Sequence, residues 1–118
     1  MPPRKKFPAF RPHMETFTDI YSDPANRIAH ERRRPFPAFS DADLLDWSDT
    51  LKRKDVEHSD QPPRFQALVA YRADYWRAFG GTGDPRVCFV VYCKINQRLK
   101  LISIRYANPE ERQVFQNR

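Results

Sequence analysis

The sequence predicts an α+β fold, an antiparallel β-sheet packed with two N-terminal helices and one C-terminal helix. Three observations carry that expectation. Val87–Cys93 (VCFVVYC) is a nearly continuous apolar run of strand length, as suits a central strand covered on both faces. Asp23-Pro24 and Asn108-Pro109 each set a capping side chain before a proline at the first helical position. The segments follow one another as strand, helix, helix, several strands, helix, so helices and strands do not alternate. At 118 residues the chain suits one domain, large enough to bury a core without disulfides or metals.

Residues 1–13 (MPPRKKFPAFRPH) hold four prolines and four lysines or arginines with no apolar period. They are expected to be a flexible basic tail, leaving 14–118 as the single folded domain, with Met14 offering a second initiation site. Residues 14–22 (METFTDIYS) alternate enough for a strand. Asp23 then caps a helix that runs to about Arg34, where Pro35 and Pro37 end it, and Arg32-Arg33-Arg34 suit the negative end of its dipole. Ser40 with Asp43 resembles a capping box opening a second helix, whose Leu44, Leu45, Trp47 and Leu51 form its apolar face. Residues 52–63 read as a polar loop with a short strand near Asp55–His58.

From Arg64 the pattern is β. Arg64–Tyr71 alternates, the glycine-rich stretch 80–85 breaks the chain, and Val87–Cys93 and Leu99–Tyr106 form a hairpin around a turn at 94–97. Asn108-Pro109-Glu110-Glu111 opens the last helix with two acids at its positive end.

The net charge of +6 is unevenly spread: +4 over residues 1–34, −3 over 35–85 and +5 over 86–118. Two basic ends can fold into one basic face that attracts polyphosphate by releasing counterions. An ordinary solvated surface is the alternative. No apolar run approaches the roughly 20 residues that span a bilayer. The basic start leads into Phe-Pro and Arg-Pro and not into the apolar stretch of a signal peptide, so a cytoplasmic protein is expected. Cys88 and Cys93 would point to opposite faces of a strand, and no metal-ligand spacing surrounds them. Both are expected to be reduced and apolar in role, and neither a metal nor another cofactor is expected.

The glycines of Gly80-Gly81-Thr82-Gly83 lack the Lys-Ser/Thr of a phosphate loop. His13, His30 and His58 are scattered, and His30 is the best catalytic candidate because it shares a helix with the arginine triplet. No serine, cysteine or threonine sits in a nucleophile context. Arginines remain. Arg64 opens one strand, Arg105 ends another, and Arg112 lies in the first turn of the last helix. Arg64 and Arg105 are expected near one sheet edge, where guanidinium forks could hold phosphate oxygens and stabilise charge developing on phosphorus. Pairing of Arg105 and Arg112 with Glu110, Glu111 or the acidic helix is the alternative. In Arg72–Arg77 (RADYWR), Tyr75 and Trp76 could stack bases among cations, anchor a partner protein, or pack in the core.

The stretch Ile102-Ser103-Ile104-Arg105-Tyr106-Ala107-Asn108-Pro109-Glu110-Glu111-Arg112 resembles the signature of the BrnT family, in which a strand ending Ile-Ser-x-Arg leads to a helix bearing Glu-Arg. Val90-Val91-Tyr92, Arg64-Phe65 and Asp23-Pro24 resemble further family motifs in the same order, over about residues 14–116. The resemblance implies a RelE-like fold and a metal-independent ribonuclease toxin of a bacterial type II toxin–antitoxin system. It implies inhibition of translation and growth, neutralised by a DNA-binding antitoxin resembling BrnA, with operator DNA contacted only through that antitoxin. Carried over by position, Arg64, Arg105 and Arg112 are phosphate-site candidates, and Arg33 falls where the family has a basic residue. Where the family has Lys-His-Gly, Arg33-Arg34-Pro35 stands here, so His30, one turn away, is the histidine left for proton transfer. Arg33, Arg34, Tyr75 and Trp76 are then the expected RNA contacts. A toxin-like module that binds without cleaving, acting only through a protein or operator complex, is the alternative.

Overall fold

Among the residues described by a computed structural model, 6–58 and 62–118, six strands make one mixed sheet. The strands are β1 (Arg11–His13), β2 (Ile20–Ser22), β3 (Thr50–Lys54), β4 (Arg64–Ala70), β5 (Val87–Ile95) and β6 (Arg98–Tyr106), in the spatial order β1-β3-β4-β5-β6-β2. The helices are α1 (Pro24–Arg33), α2 (Ala73–Ala78) and α3 (Pro109–Gln116), with a 3₁₀ helix at Phe39–Leu44. The α+β class holds.

The sheet is not purely antiparallel, because β2 runs parallel to β6. The direction of β2 is set before the strand begins. The Thr18 amide donates to the Gln97 carbonyl, the Leu99 amide donates to the Asp19 carbonyl, and Arg98 forks onto Asp19 at 2.8 and 2.9 Å. Only Ile20–Ser22 of the expected strand pairs. The preceding residues cross the sheet, where Phe17 meets Trp47 edge-on.

Part of the expected tail is structure. Arg11–His13 pairs with Thr50–Lys52, and Phe7 and Phe10 lie over the Arg53 guanidinium at 4.6 and 4.2 Å. Residues 1–5 of that tail lie outside the described residues. The strand expected near Asp55–His58 falls earlier, at Thr50–Lys54, and Asp55 instead accepts from the Glu57 and His58 amides in a turn. Alternation in TLKRK was masked by its charges.

The second helix is one short 3₁₀ segment, and the Ser40–Asp43 capping box does not form. Its sequence, FSDADL, is poor in helix formers, since serine and aspartate compete for backbone groups. Tertiary bonds hold it instead: Trp47 Nε1 donates to the Ala42 carbonyl at 2.8 Å, and the Tyr71 hydroxyl donates to Asp41 at 2.7 Å. A helix that the sequence hid, α2, occupies the connection between β4 and β5.

The two Asx-Pro signals predicted real helices. Asp23 accepts from the Ala25 and Asn26 amides, and Asn108 with Glu111 closes a reciprocal capping box. The β5–β6 turn has Asn96 and Gln97 both at positive φ, 52° and 64°, the backbone twist that suits a two-residue hairpin.

One face of the sheet buries Ala67, Val69, Cys88, Val90, Tyr92, Leu99, Leu101 and Ile104 beneath Phe39, Ala42, Leu45 and Trp47. On the other face, Phe115 of α3 covers only one end, over Leu51, Leu68, Val87 and Phe89. The rest of that second face is open and carries the polar residues considered next.

Candidate nucleic-acid interface

Directly opposed residues share a face of a sheet. The register therefore lays three rows across the α3 face. Arg64, Cys93 and Lys100 form the outermost row. Arg53, Gln66, Val91 and Ser103 form the next, and Leu51, Leu68, Phe89 and Arg105 the one under α3.

The register skips Ile102: Ser103 faces Val91 while Leu101 faces Tyr92. This bulge frees the Ile102 carbonyl, which accepts from Asn26 Nδ2 at 2.9 Å. One turn further along α1, His30 Nε2 lies 3.2 Å from Ser103 Oγ. The bulge thus fixes α1 beside the open end of the sheet.

Two adjoining depressions result. One, of about 360 Å³, is lined by Asn26, His58, Arg64, Cys93, Lys100 and Ile102 among others. The other, of about 320 Å³, is lined by His30, Arg33, Arg34 and Ser103. Asn26 and His30 are successive residues on one face of α1, and Ile102 and Ser103 are neighbours, so the two open side by side.

The charges around this cleft differ from those elsewhere. Lys52 and Lys94 are spent on Glu15, Arg98 on Asp19, Arg118 on Asp49 and Arg105 on Glu111. Among the described residues, Arg33, Arg34, Arg64 and Lys100 have no carboxylate within ion-pair distance. Burial, then the charges of Arg34 and Arg33, lower the His30 pKa, so its imidazole is neutral at pH 7. Its Nδ1 is buried without a hydrogen-bond partner. Only Nε2 can exchange a proton with a ligand in the cleft.

The predicted residues divide. His30, Arg33 and Arg34 are together, and Arg64 lines the neighbouring depression. Arg64 and Arg105 do not converge at one rim. β4 and β6 are both neighbours of β5 and run parallel to each other, so the start of one and the end of the other lie at opposite ends. Four residues along and two strands across separate them by about 16 Å of backbone. Arg105 is also committed. It forks onto Glu111 at 2.7 and 3.0 Å and lies over the Phe89 ring at 4.1 Å. Arg112 is exposed on α3 and donates to the Ala107 carbonyl at 3.4 Å, outside the cleft.

Tyr75 and Trp76 sit on α2, which follows the far end of β4, away from the Arg64 row. Trp76 stacks on Tyr71 and covers Gly81. These rings do not join the basic cleft.

Sequence reasoning missed Asn26, Lys100 and Ser103 as cleft residues, and missed Arg53, whose Nε donates to Gln66 at 2.7 Å. The only sequence signal was Ser103 inside the Ile-Ser-x-Arg stretch. Cys93 lines the cleft, but burial raises its pKa, and burial pushes Cys88 up to about 12, so neither is an activated nucleophile. Among the described residues, no three His, Cys, Asp or Glu side chains cluster as metal ligands, and no helix is long and apolar enough to cross a membrane. No protein family, curated protein or solved structure matches the chain.

Proposed function

We propose that this chain is an RNA-directed toxin of the type II class, cutting RNA without a metal at the cleft between α1 and the open end of the sheet. One observation carries the reading. A neutral histidine with a single usable nitrogen stands among cations that have no carboxylate partner among the described residues. Arg33, Arg34, Arg64 and Lys100 would draw in an RNA backbone by counterion release. His30 Nε2 would take the proton of a 2′-hydroxyl that displaces Ser103 Oγ as its partner. The new bond joins the 2′ oxygen to phosphorus, and the bond from phosphorus to the 5′ oxygen breaks. Protonated His30 or water then supplies the proton that the 5′ oxygen needs. Arg33 and Arg34 are placed to stabilise the charge that builds on the phosphoryl oxygens.

The resemblance to BrnT supplies the setting: cytoplasmic toxicity to bacterial translation, silenced by a DNA-binding antitoxin. The second reading is a toxin-like module that binds without cutting. The commitment of Arg105 to Glu111 favours it, because that guanidinium has no free fork for phosphate.

The test is digestion of end-labelled single-stranded RNA in a chelator, alongside salt-dependent binding. On the first reading, His30→Ala slows cleavage by roughly 10²–10⁴-fold while RNA affinity and thermal stability hold. Arg33→Ala with Arg34→Ala weakens binding and flattens its salt dependence. Tight, salt-dependent binding with no cleavage supports the second reading. Neither binding nor cleavage sinks both.

A further inference from the structure

The connection between β4 and β5 is far longer than its geometry requires. The two strands are antiparallel hydrogen-bonded neighbours, which a loop of about 2–5 residues can join. Sixteen residues, 71–86, do so here. They build α2, a helix that buries none of its own residues, and they present Phe79 at 70% exposure. Phe79 and Tyr75 stack at 4.3 Å between ring centroids, and Trp76 stacks on Tyr71 at 6.0 Å. Trp76 is held from below, since a Cβ on Gly81 would lie 2.3 Å from its ring. Together with Leu44 and Asp41, these rings line a groove of about 180 Å³.

The rim of the groove is acidic. Asp41 spends one oxygen on the Tyr71 hydroxyl at 2.7 Å. Asp43 is exposed, and only its backbone carbonyl is engaged, by Arg72 at 2.9 Å. Asp74 is exposed and 3.9 Å from Arg72. This rim belongs to the one third of the sequence with net negative charge, −3 over residues 35–85 in a chain of +6. Such a rim repels phosphate and attracts ammonium and guanidinium groups.

We infer that the groove between the 3₁₀ helix and α2 is a docking surface for a cationic, amphipathic segment of a partner protein. An apolar side chain of that segment enters among Tyr75, Trp76 and Phe79, and an adjacent lysine or arginine meets Asp41 and Asp43. Aromatic shelves of this kind carry binding energy at little entropic cost, because two-torsion rings already held by packing lose little freedom on binding. The surface is separate from the basic cleft and does not depend on RNA cleavage there.

The experiment is an NMR titration of the labelled full chain with three probes. They are a synthetic twelve-residue peptide of lysine and leucine in helical spacing, the same peptide with glutamate for lysine, and an oligouridylate. The cationic peptide is expected to shift Leu44, Tyr75, Trp76 and Phe79, and the acidic one to leave them unmoved. Phe79→Ala changes a largely exposed ring, so the fold persists, and binding should weaken by about ten-fold. Asp43→Lys should weaken it as well. Equal binding of both peptides, or binding indifferent to Phe79→Ala, overturns the proposal. Self-association abolished by Phe79→Ala makes a second copy the occupant and overturns it too, as does RNA shifting these rings. RNA shifts at His30 and Ser103 report on the cleft alone, so the failure of one site is distinguishable from that of the other.

Discussion

Replacing Glu15 by glutamine should cost this protein much of its stability at neutral pH and almost none in acid. Glu15 is 6% exposed, yet charged. Its carboxylate accepts from the Tyr92 hydroxyl at 2.5 Å and from Lys52 at 2.9 Å, and meets Lys94 at 2.9 Å. Burial alone would raise its pKa. The bonds from Tyr92, Lys94 and Lys52 outweigh that and lower it from 4.5 to about 2. A carboxyl group whose pKa falls this far on folding contributes about 3 kcal/mol. Because the folded value is the lower one, the contribution is full above the unfolded value of 4.5. It is lost as pH falls from there toward 2. Urea unfolding followed by tryptophan fluorescence is a direct assay, since Trp47 lies against Tyr92 at 5.6 Å. Wild type and Glu15→Gln should differ by about 3 kcal/mol at pH 7. The gap should narrow steadily below pH 4.5, where the wild-type side chain becomes as neutral as the glutamine. A gap of constant size from pH 7 to pH 3 would refute the reasoning, because it would assign the effect of Glu15 to shape and not to charge.

Arg105→Ala should act on α3 and not on RNA: loss of its fork onto Glu111 lowers stability by about 1–3 kcal/mol, measured by chemical denaturation. Asn108→Ala removes the side chain that accepts from the Glu111 amide at 2.8 Å and should cost about 1 kcal/mol. Because Glu111 serves both partners, the double variant should depart from additivity by at least about 0.5 kcal/mol. Gly81→Ala forces its new Cβ into the Trp76 ring, so it should shift Trp76 fluorescence and weaken cationic-peptide binding while leaving RNA binding intact. Burial and the neighbouring Arg34 and Arg33 lower the pKa of His30, so the acid limb of RNA cleavage should fall below the ordinary histidine value of 6.5. Raising the ionic strength, which screens the arginines, should move that limb back up.

The sequence by itself determined the elements whose signals are local. Asp23-Pro24 and Asn108-Pro109 fixed the starts of α1 and α3, because a cap and a proline act on backbone groups within one turn. The apolar run at 87–93 fixed the central strand, and the β5–β6 hairpin followed from the polar break between two β-patterns. α2 and the 3₁₀ helix escaped because their residues are held by distant partners: Trp76 by Tyr71, Asp41 by the Tyr71 hydroxyl, and Trp47 by Tyr92. The site divided along the same line. Nearness along the chain brought His30, Arg33 and Arg34 together, and the sequence anticipated that. Only strand order and the skipped Ile102 could decide that Ser103 and Lys100 join them and that Arg105 does not. Register is a property of two strands at once, and a shift of one residue turns every side chain to the other face. No single segment contains that information, so the tertiary structure alone supplied it.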